Sequence, residues 1–461
     1  MQNRRVAACL VLLFSAFVAS SSSAALIETH FNQNPAFHFT EPYSHRTRAG
    51  ENFEDIVIHQ IREAKTQVWV AVHELMLPQI AETLVAAQSS GVRVRVIIEN
   101  QYHVAFSQLT PEQIANLNPY LVDKYHEFLA LADAYGDRDG KPSLAEQARA
   151  DAIFILEAAH VPLTDDTADG SKGAELMHHK FMTIDDGRVV VASANFTSSD
   201  FFGDFASPRS LGNPNGLVVI ESPALNRLFR EEFDQMWGDS SRRPRFGVKK
   251  AYRPAMTVHL ADGTPVTVQF SPFGKKVPEP DTTNGLIADV LSHAKSRIDF
   301  SLFVFSEQRI SDVLEKVREQ GVDVRGLIEP SFAYRYYSEL LDMLGLVLFD
   351  PKCRLEAGTH PWAHPISSVG IPVIPEGDKF HHKFAVVDGR RVIFGSHNWS
   401  DAANRGNDET LLVIDDERSA QAFDREFERA YQHSVLGVPS WLKKRADEDE
   451  KRCRSASRIR S

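Results

Sequence analysis

The sequence predicts an α/β protein made of two homologous domains, each a sheet layered by helices. Three observations support this fold class. Apolar strand-like runs alternate with helical periodicity, the same order of elements occurs in both halves, and one polar stretch is present twice. Composition agrees, because 461 residues with 43% hydrophobic and 25% charged residues are typical of a globular protein of two or three domains.

The elements of the two halves follow one another in the same order. Apolar residues at helical spacing predict helices, and β-branched apolar runs predict strands. In the first half these are helix 53–64, strand 68–72, helix 79–89, strand 92–98 and, later, helix 225–236. In the second half they are helix 285–294, strand 298–305, helix 309–319, strand 322–328 and helix 420–431.

The N-terminus has the pattern of a secretory signal peptide. Arg4 and Arg5 precede an apolar run from Val6 to Ala19, and small residues follow it. The run is too short to span a membrane comfortably, so we expect cleavage and a secreted or periplasmic protein.

The remaining organisation follows from composition shifts and from the repeat. The 441–461 tail is basic and polar, which predicts disorder, although contact with an anionic membrane face or nucleic acid is the alternative. The predicted segments are a signal peptide at 1–24, an extended lead-in at 25–49, a first domain at 50–240 with an insert at 101–172, a linker at 241–254, a second domain at 255–440 and the tail at 441–461.

The repeated polar stretch is the strongest functional signal. His178 to Asp185 and His381 to Asp388 both fit H-x-K-x-x-x-x-D, within predicted strands at 177–184 and 379–387. Each is followed by a turn, an apolar strand and Ser-x-Asn, which is Ser193 and Asn195 in the first copy and Ser396 and Asn398 in the second. Because side chains two apart on a strand share a face, each copy should present an imidazole, an ammonium, a hydroxyl and an amide to one spot. That set suits an anionic phosphoryl group.

This pair of motifs resembles the double H-x-K-x(4)-D signature of the phospholipase D superfamily, and its wording is similar to the nuclease and cardiolipin-hydrolase branch. The resemblance implies two phospholipase D-like domains with mixed β-sheets flanked by helices, related by a pseudo-twofold axis, with the active site at their interface. It also implies that one histidine forms a covalent phosphohistidine while the other acts as general acid and base. In the family the nucleophile is commonly in the first half, which points to His178, with His381 as the acid.

The resemblance also assigns roles residue by residue. Glu409 is at the position of an acidic residue that orients a histidine, and its first-half counterpart is Asn215. His179 and His382 have the opposite strand parity and should serve packing or support. Asp185 and Asp388, at the turns, should fix the geometry of the motif. The expected catalytic set is His178, Lys180, Asp185, His381, Lys383 and Asp388, and the expected substrate-binding set is Ser193, Asn195, Ser396 and Asn398.

No cofactor is expected for catalysis, because a lysine two residues from each motif histidine would repel a metal cation. A separate stretch in the insert resembles a degenerate EF-hand loop, with Asp137, Asp139, Ser143 and Glu146 at ligand positions but Tyr135 at the first. Structural calcium or a solvated turn that caps a helix are both compatible with it. Cys353 and Cys453 could form a disulfide or remain free thiols.

The substrate is left open between phospholipid and nucleic acid. The formal net charge of −11 does not favour broad, unspecific nucleic-acid binding, so we expect a phospholipase D that converts a phospholipid to phosphatidate. The alternatives are a secreted metal-independent nuclease and, in another class, a non-catalytic phosphate-binding protein. Peripheral membrane contact is compatible with the first reading, and no obligate dimer is needed because both motifs are in one chain.

Overall fold

The computed structural model describes residues 26–207 and 209–460, which form two α/β halves of matching topology. The predicted signal peptide at 1–24 lies outside the described residues. Within the described ranges, none of the helices is both long enough and apolar enough to cross a membrane.

The first half contains nine strands and eight helices in its described residues. The strands are β1 (Ile27–Phe31), β2 (His38–Thr40), β3 (Thr47–Ala49), β4 (Gln67–Val72), β5 (Arg93–Ile98), β6 (Leu163–Asp165), β7 (Lys180–Ile184), β8 (Arg188–Ala192) and β9 (Gly216–Glu221). The helices are α1 (Phe53–Glu63), α2 (Pro78–Ser89), α3 (Pro111–Ala115), α4 (Pro119–Tyr135), α5 (Leu144–Ala150), α6 (Ala152–Ala158), α7 (Ser198–Phe201) and α8 (Pro223–Trp237).

The second half has the corresponding elements. Its strands are β10 (Met256–His259), β11 (Pro265–Ser271), β12 (Arg297–Leu302), β13 (Asp323–Ile328), β14 (Val369–Ile371), β15 (Lys383–Val387), β16 (Arg391–Gly395), β17 (Glu409–Asp415) and β18 (Val435–Leu436). Its helices are α9 (Thr283–Ser292), α10 (Gln308–Glu319), α11 (Pro330–Ala333), α12 (Glu339–Met343), α13 (Asp401–Arg405), α14 (Glu417–Tyr431) and α15 (Ser440–Arg460).

Each half is built on one mixed sheet. The first sheet has the order β1-β9-β8-β7-β4-β5-β6, with β4, β5 and β6 parallel and the other pairs antiparallel. The second has the order β10-β11-β17-β16-β15-β12-β13-β14-β18, so its seven central strands repeat the seven of the first sheet. The prediction of two homologous α/β domains is therefore confirmed.

The lead-in supplies a strand to the first sheet. β1 pairs antiparallel with β9, from Ile27 opposite Ile220 to Phe31 opposite Gly216. It occupies the place that β11 occupies beside β17 in the second sheet. The sequence before residue 50 is thus part of the repeated architecture.

One apolar core joins the two halves. It combines side chains of both sheets, such as Phe181 and Phe384, with the buried faces of α8 and α14. Helix α8 contacts β7 and β8 of its own sheet and β11 of the other, while α14 contacts β15 and β16 and reaches β1. Because removal of this apolar surface from water favours docking, the shared core fixes how the halves face each other.

Corresponding helices end in the same way in the two halves. Gly91 follows α2 and Gly321 follows α10, with φ of +94° and +95°. Glycine adopts this left-handed conformation at little cost, which allows the chain to turn directly into β5 and β13. Each of these glycines is followed by a valine, Val92 or Val322, at the same place in the two halves.

The C-terminal tail is ordered, which contradicts the prediction of disorder. It forms α15, with Leu442 fully buried and Trp441 packed edge-on against Tyr334. A disulfide joins Cys353 to Cys453, so the pairing that the sequence left open is formed. Two apolar residues and a cross-link therefore anchor a segment whose average composition is highly charged.

Candidate active site

The two H-x-K motifs meet where the halves face each other. The amide of His178 donates to the carbonyl of Asp408 at 3.0 Å, and the amide of Asp408 donates back to Leu176 at 2.8 Å. In the second copy, the amide of Lys379 donates to the side-chain oxygen of Asn213 at 2.6 Å. The strands β7 and β15 consequently start at the motif lysines, later than predicted, because the residues before them leave their own sheet to bind the other half.

Each motif histidine is held by a residue of the opposite half. Nδ1 of His178 is 2.8 Å from Oε2 of Glu409, and Nδ1 of His381 is 3.1 Å from Oδ1 of Asn215. An ionised carboxylate and an amide oxygen only accept, so both Nδ1 atoms donate and both Nε2 atoms keep a lone pair. The predicted supporting residue Glu409 thus acts on His178, across the interface.

The backbone before each histidine is fixed by equivalent glutamates. The amide of Met177 donates to Glu99 at 2.5 Å, and the amide of Phe380 donates to Glu329 at 2.6 Å. Each glutamate directly follows one of two equivalent strands, β5 for Glu99 and β13 for Glu329.

The serines do not have the predicted substrate-binding position. Ser193 and Ser396 are fully buried, and their hydroxyls donate to Asn215 at 2.7 Å and to Glu409 at 2.6 Å. The strands β8 and β16 end just before them, so the alternation of a regular strand no longer decides which way they point. The two serines therefore position Asn215 and Glu409, which in turn bind the motif histidines.

The motif lysines form the cationic base of the site. Lys180 and Lys383 are each 1% exposed, and each ammonium donates to the carbonyl of its own motif histidine at 2.9 Å. Burial lowers the pKa of Lys180 to about 8. Burial, and then the charge of Lys180, lower the pKa of Lys383. Two close ammonium groups in a poorly solvated site leave a strong requirement for an anion.

The same surroundings keep the histidines neutral. Burial, followed by the charge of Lys180, holds the pKa of His178 well below its usual value. Burial, followed by the charge of Lys383, does the same to the pKa of His381. A neutral imidazole with a free Nε2 is a competent nucleophile.

The asparagines of the Ser-x-Asn segments both have a side-chain oxygen that is left without a hydrogen-bond partner. The Asn195 amide donates to Glu74 at 3.1 Å, while its own oxygen is buried without a hydrogen-bond partner. The oxygen of Asn398 is likewise buried and unpaired. A cavity of about 580 Å³ opens beside Asn195 and His381, so it reaches the histidine of the second motif.

The motif aspartates are positioning residues, so their assignment to the catalytic set is corrected. Asp185 accepts from the amides of residues 65–67 and Asp388 from the amides of residues 295–297. Those residues lead into β4 and β12, which lie beside the motif strands. Each carboxylate therefore ties the end of a motif strand to the start of its neighbour, away from the histidine at the other end.

The histidines next to the motif histidines, His179 and His382, are buried and hydrogen-bonded away from the site. His179 is fully buried between Thr410 at 2.8 Å and Glu232 at 3.1 Å, and His382 is fully buried 2.8 Å from Glu426. The parity argument placed both away from the substrate, and their contacts agree with that interpretation.

One residue beside the reacting groups was missed by the sequence reading. His73 lies directly after β4, and its ring centroid is 4.8 Å from that of His178. Both its ring nitrogens are buried without a hydrogen bond, and Nδ1 lies 3.6 Å from Glu74. The equivalent residue after β12 is Phe303, whose ring is 4.9 Å from that of His381. Position alone could have identified the pair, because each follows the strand next to a motif strand.

The predicted calcium loop is organised mainly as a helix cap. Ser143 and Glu146 form a capping box at the start of α5, and Glu146 also accepts from the amide of Asp137 at 2.8 Å. Asp137 and Asp139 instead approach Asp133, with one oxygen of each within 4.8 Å of the others. Glu146 and Ser143 therefore serve the cap, and Asp133, two residues before the first loop position at Tyr135, joins the two aspartates.

A family model described as "Cardiolipin synthase, PLD-like domain" matches residues 57–237 and 287–431. The chain belongs to this PLD-like family of the phospholipase D superfamily. Both motifs fall within the matched ranges, one in each. The resemblance inferred from the motifs is thereby confirmed.

Curated relatives in this superfamily carry enzyme names. The chain is 26% identical over 170 residues to "Mitochondrial cardiolipin hydrolase" of Xenopus tropicalis, covering 36% of this chain and 70% of that protein. It is 27% identical over 158 residues to the human protein of the same name, covering 34% and 54%. A "Phospholipase D" of Rickettsia bellii is 26% identical over 144 residues, covering 31% and 61%. The expectation of a phospholipase D-like phosphodiester hydrolase agrees with these names.

A solved structure shares the two-domain fold over nearly the whole chain. It is the phosphatidylserine synthase of Haemophilus influenzae, with a TM-score of 0.54 and 13% identity, covering 94% of this chain and 93% of that one. At this identity the match shows the fold, which includes both halves.

Proposed function

We propose that this protein is a phosphodiester hydrolase of the phospholipase D type, which cleaves the headgroup ester of a phospholipid and leaves phosphatidate. The observation that supports this most directly is the convergence of two H-x-K motifs on one spot. There, two histidines with free Nε2 atoms lie with two buried ammonium groups. That combination supplies a nucleophile, a proton carrier and charge stabilisation for a phosphoryl group.

In the first step, Nε2 of His178 attacks phosphorus and the bond from phosphorus to the headgroup oxygen breaks. The Nε2–H of protonated His381 passes its proton to that oxygen. Lys180 and Lys383 bind the non-bridging oxygens, and the bound anion offsets their charge, which allows His381 to hold a proton. In the second step, His381 takes a proton from water, the water oxygen bonds to phosphorus, and the bond to His178 breaks.

The unequal supports favour His178 as the nucleophile. As its Nε2 bonds to phosphorus, the imidazole becomes positive, and the carboxylate of Glu409 at 2.8 Å stabilises that charge. His381 has a neutral amide at 3.1 Å instead, with the carboxyl of Asp200 farther away at 3.6 Å. Weaker stabilisation of its cation makes His381 the more ready proton donor.

We also propose that catalysis needs no metal, because the two buried ammonium groups occupy the position in which a Lewis acid would stabilise phosphoryl oxygens. Secretion or export to a periplasm is the matching proposal for localisation. The Arg4-Arg5 start with its apolar run supports it, and so does the Cys353–Cys453 disulfide, which is typical of oxidising compartments.

The test compares two substrate classes in the presence of EDTA. The mature protein is incubated with phosphatidylcholine vesicles and, separately, with single-stranded DNA. His178→Ala/His381→Ala serves as the inactive control, and His433→Ala, at an exposed histidine, as the matched control. We expect choline release by the wild type and by His433→Ala only. DNA cleavage without lipid cleavage would reassign the substrate to nucleic acid, and loss of all activity on adding EDTA would overturn the metal-free mechanism.

A further inference from the structure

His73 is a buried histidine beside the first motif to which the two-histidine mechanism gives no part. Its amide donates to the carbonyl of His179 at 2.9 Å, and its own carbonyl accepts from the amide of Glu99 at 3.3 Å. These bonds fix its backbone between the first motif and the end of β5. Its ring lies edge-on to that of His178, with 4.8 Å between the centroids. The side chain of His73 is therefore in contact with the proposed nucleophile.

The second half shows that packing alone does not require an imidazole at this position. The ring of His73 packs edge-on against that of Tyr102, with 4.9 Å between the centroids. At the equivalent place, the ring of Phe303 packs edge-on against that of Phe332, again at 4.9 Å. Phe303 is also 4.9 Å from the ring of His381. A phenyl ring thus makes the same contacts, so the two nitrogens of His73 need another explanation.

The ring nitrogens of His73 are buried polar atoms that form no hydrogen bond with the described part of the chain. The side chain of Glu74 approaches Nδ1 only to 3.6 Å, which is longer than a hydrogen bond. Burial, and to a smaller extent the charge of Lys180, lower the pKa of His73 against the opposing charge of Glu74, so the ring is neutral at neutral pH. A neutral imidazole has one N–H group, and a buried donor without an acceptor is costly. An acceptor supplied by a ligand would remove that cost.

The position of His73 adjoins both reacting groups of its motif, the histidine and the ammonium. The second half gives the distance for the ammonium, because Nζ of Lys383 lies 5.0 Å from the centroid of the Phe303 ring. In the first half, the charge of Lys180 acts on the pKa of His73. A phosphoryl group that is bonded to His178 and held by Lys180 is therefore next to the His73 ring, and its non-bridging oxygens are strong acceptors.

We propose that His73 is a further catalytic residue, whose ring N–H binds a non-bridging oxygen of the phosphoryl group. This inference rests on the proposed function and adds a third phosphate ligand to Lys180 and Lys383. His73 transfers no proton and forms no bond to phosphorus. Its hydrogen bond persists while phosphorus is bonded to His178, so it stabilises the covalent intermediate and the transition states on either side of it. Because Phe303 has no donor, this contact exists only on the side of the proposed nucleophile.

The experiment measures phosphate binding and turnover in the same set of variants of the mature protein. Calorimetry with inorganic phosphate reports binding, and choline release from phosphatidylcholine reports turnover. His73→Phe copies the side chain of the second half, while His73→Asn and His73→Gln keep an N–H donor near the positions of Nδ1 and Nε2.

The matched control is His382→Phe, which also replaces a buried histidine beside a carboxylate. The ring of His382 packs against Phe380 and Phe384, and its partner Glu426 keeps two hydrogen bonds from Arg429. Thermal melts of all variants separate loss of the fold from loss of the contact. In the wild type, ¹⁵N NMR of the histidine rings reports the contact without any substitution.

We expect His73→Phe to weaken phosphate binding and to lower kcat/KM by about ten- to hundredfold, as the loss of one hydrogen bond to a charged group should. At least one of the two amide variants should recover much of the loss, and His382→Phe should change neither quantity. Phosphate should shift the ring ¹⁵N signals of His73 in the wild type and leave those of His382 in place.

Unchanged phosphate affinity and turnover in His73→Phe would overturn the inference about His73 while leaving the hydrolase proposal intact. An equal loss in all three His73 variants, or no shift of the His73 signals with phosphate, would also overturn it. Weaker phosphate binding in His73→Phe, with no cleavage of lipid or DNA by the wild type, would reject the hydrolase proposal and keep His73 as a phosphate ligand.

Discussion

Replacement of Glu409 by glutamine isolates the contribution of one buried charge to the first chemical step. Oε2 of Glu409 accepts from His178 at 2.8 Å and from the hydroxyl of Ser396 at 2.6 Å, and Oε1 accepts from the amide of Asn407 at 3.2 Å. In Glu409→Gln the amide oxygen can keep the first two bonds. The new NH₂ group then faces Asn407, which can turn its own amide over to accept. The shape and the tautomer of His178 are preserved, and the charge is lost.

The magnitude follows from the difference between charged and neutral hydrogen bonds. A hydrogen bond to a charged group contributes about 1.5–3 kcal/mol and a neutral one about 1 kcal/mol. The difference, about 0.5–2 kcal/mol, applies as the imidazole of His178 becomes positive in the transition state. At about 1.36 kcal/mol per factor of ten, formation of the covalent intermediate should slow by about tenfold.

The assay is a rapid-quench measurement of headgroup release in the first turnover. Glu426→Gln is the matched control, because Glu426 is also buried and also 2.8 Å from a histidine ring, that of His382, which lies outside the site. We expect Glu426→Gln to lower the melting temperature without slowing the first turnover of the folded protein. An unchanged first-turnover rate in Glu409→Gln, or an equal loss in Glu426→Gln, would show that the Glu409 charge has no catalytic part.

Three further outcomes follow from the structure. First, in NMR titrations His178 should protonate well below pH 6.5, and inorganic phosphate should raise its pKa by offsetting the charge of the lysines. The unfolded chain takes up this proton near pH 6.5 and the folded chain does not, so the free energy of unfolding of the wild type should fall more steeply than that of His178→Asn between pH 7 and pH 5. Parallel slopes of the two proteins would contradict this. Second, Cys353→Ser should release α15 to proteolysis and lower the free energy of unfolding by about 2–5 kcal/mol; an unchanged value would show that Leu442 holds the helix without the disulfide. Third, calorimetry should detect calcium binding at the insert loop, Asp137→Asn should weaken that binding, and Glu146→Gln should act mainly through the stability of α5; no heat of calcium binding to the wild type would refute this.

The sequence predicted what depends on local spacing. The periodicity of residues 53–98 and its recurrence at 283–328 identified the helices and strands, because both periods are properties of short segments. The predicted orientation of Ser193 and Ser396 was wrong because it extended the strand period past the ends of β8 and β16. The period of a strand stops applying where the strand ends, and Ser193 lies one residue beyond β8.

Contacts between distant segments could not be predicted in this way. The pairing of His178 with Glu409 spans 231 residues and depends on how the halves dock. The order of the C-terminal tail depends on Leu442 and on the Cys353–Cys453 cross-link, whereas composition averages those residues with many charges. In both cases tertiary burial outweighs the local signal.

Three differences between the halves make the surroundings of the two motif histidines unequal. A duplicated fold would give each histidine the same surroundings. Instead, the residue bonded to Nδ1 is Glu409 for His178 and Asn215 for His381, and the neighbouring ring is His73 for His178 and Phe303 for His381. Helix α4, from the insert of the first half, lines the cavity on the His381 side. A symmetric substrate reaction would gain nothing from these changes. The proposed reaction, in which one histidine bonds to phosphorus while the other passes a proton to a departing headgroup, can use two of these differences: the carboxylate beside His178 and the open cavity beside His381.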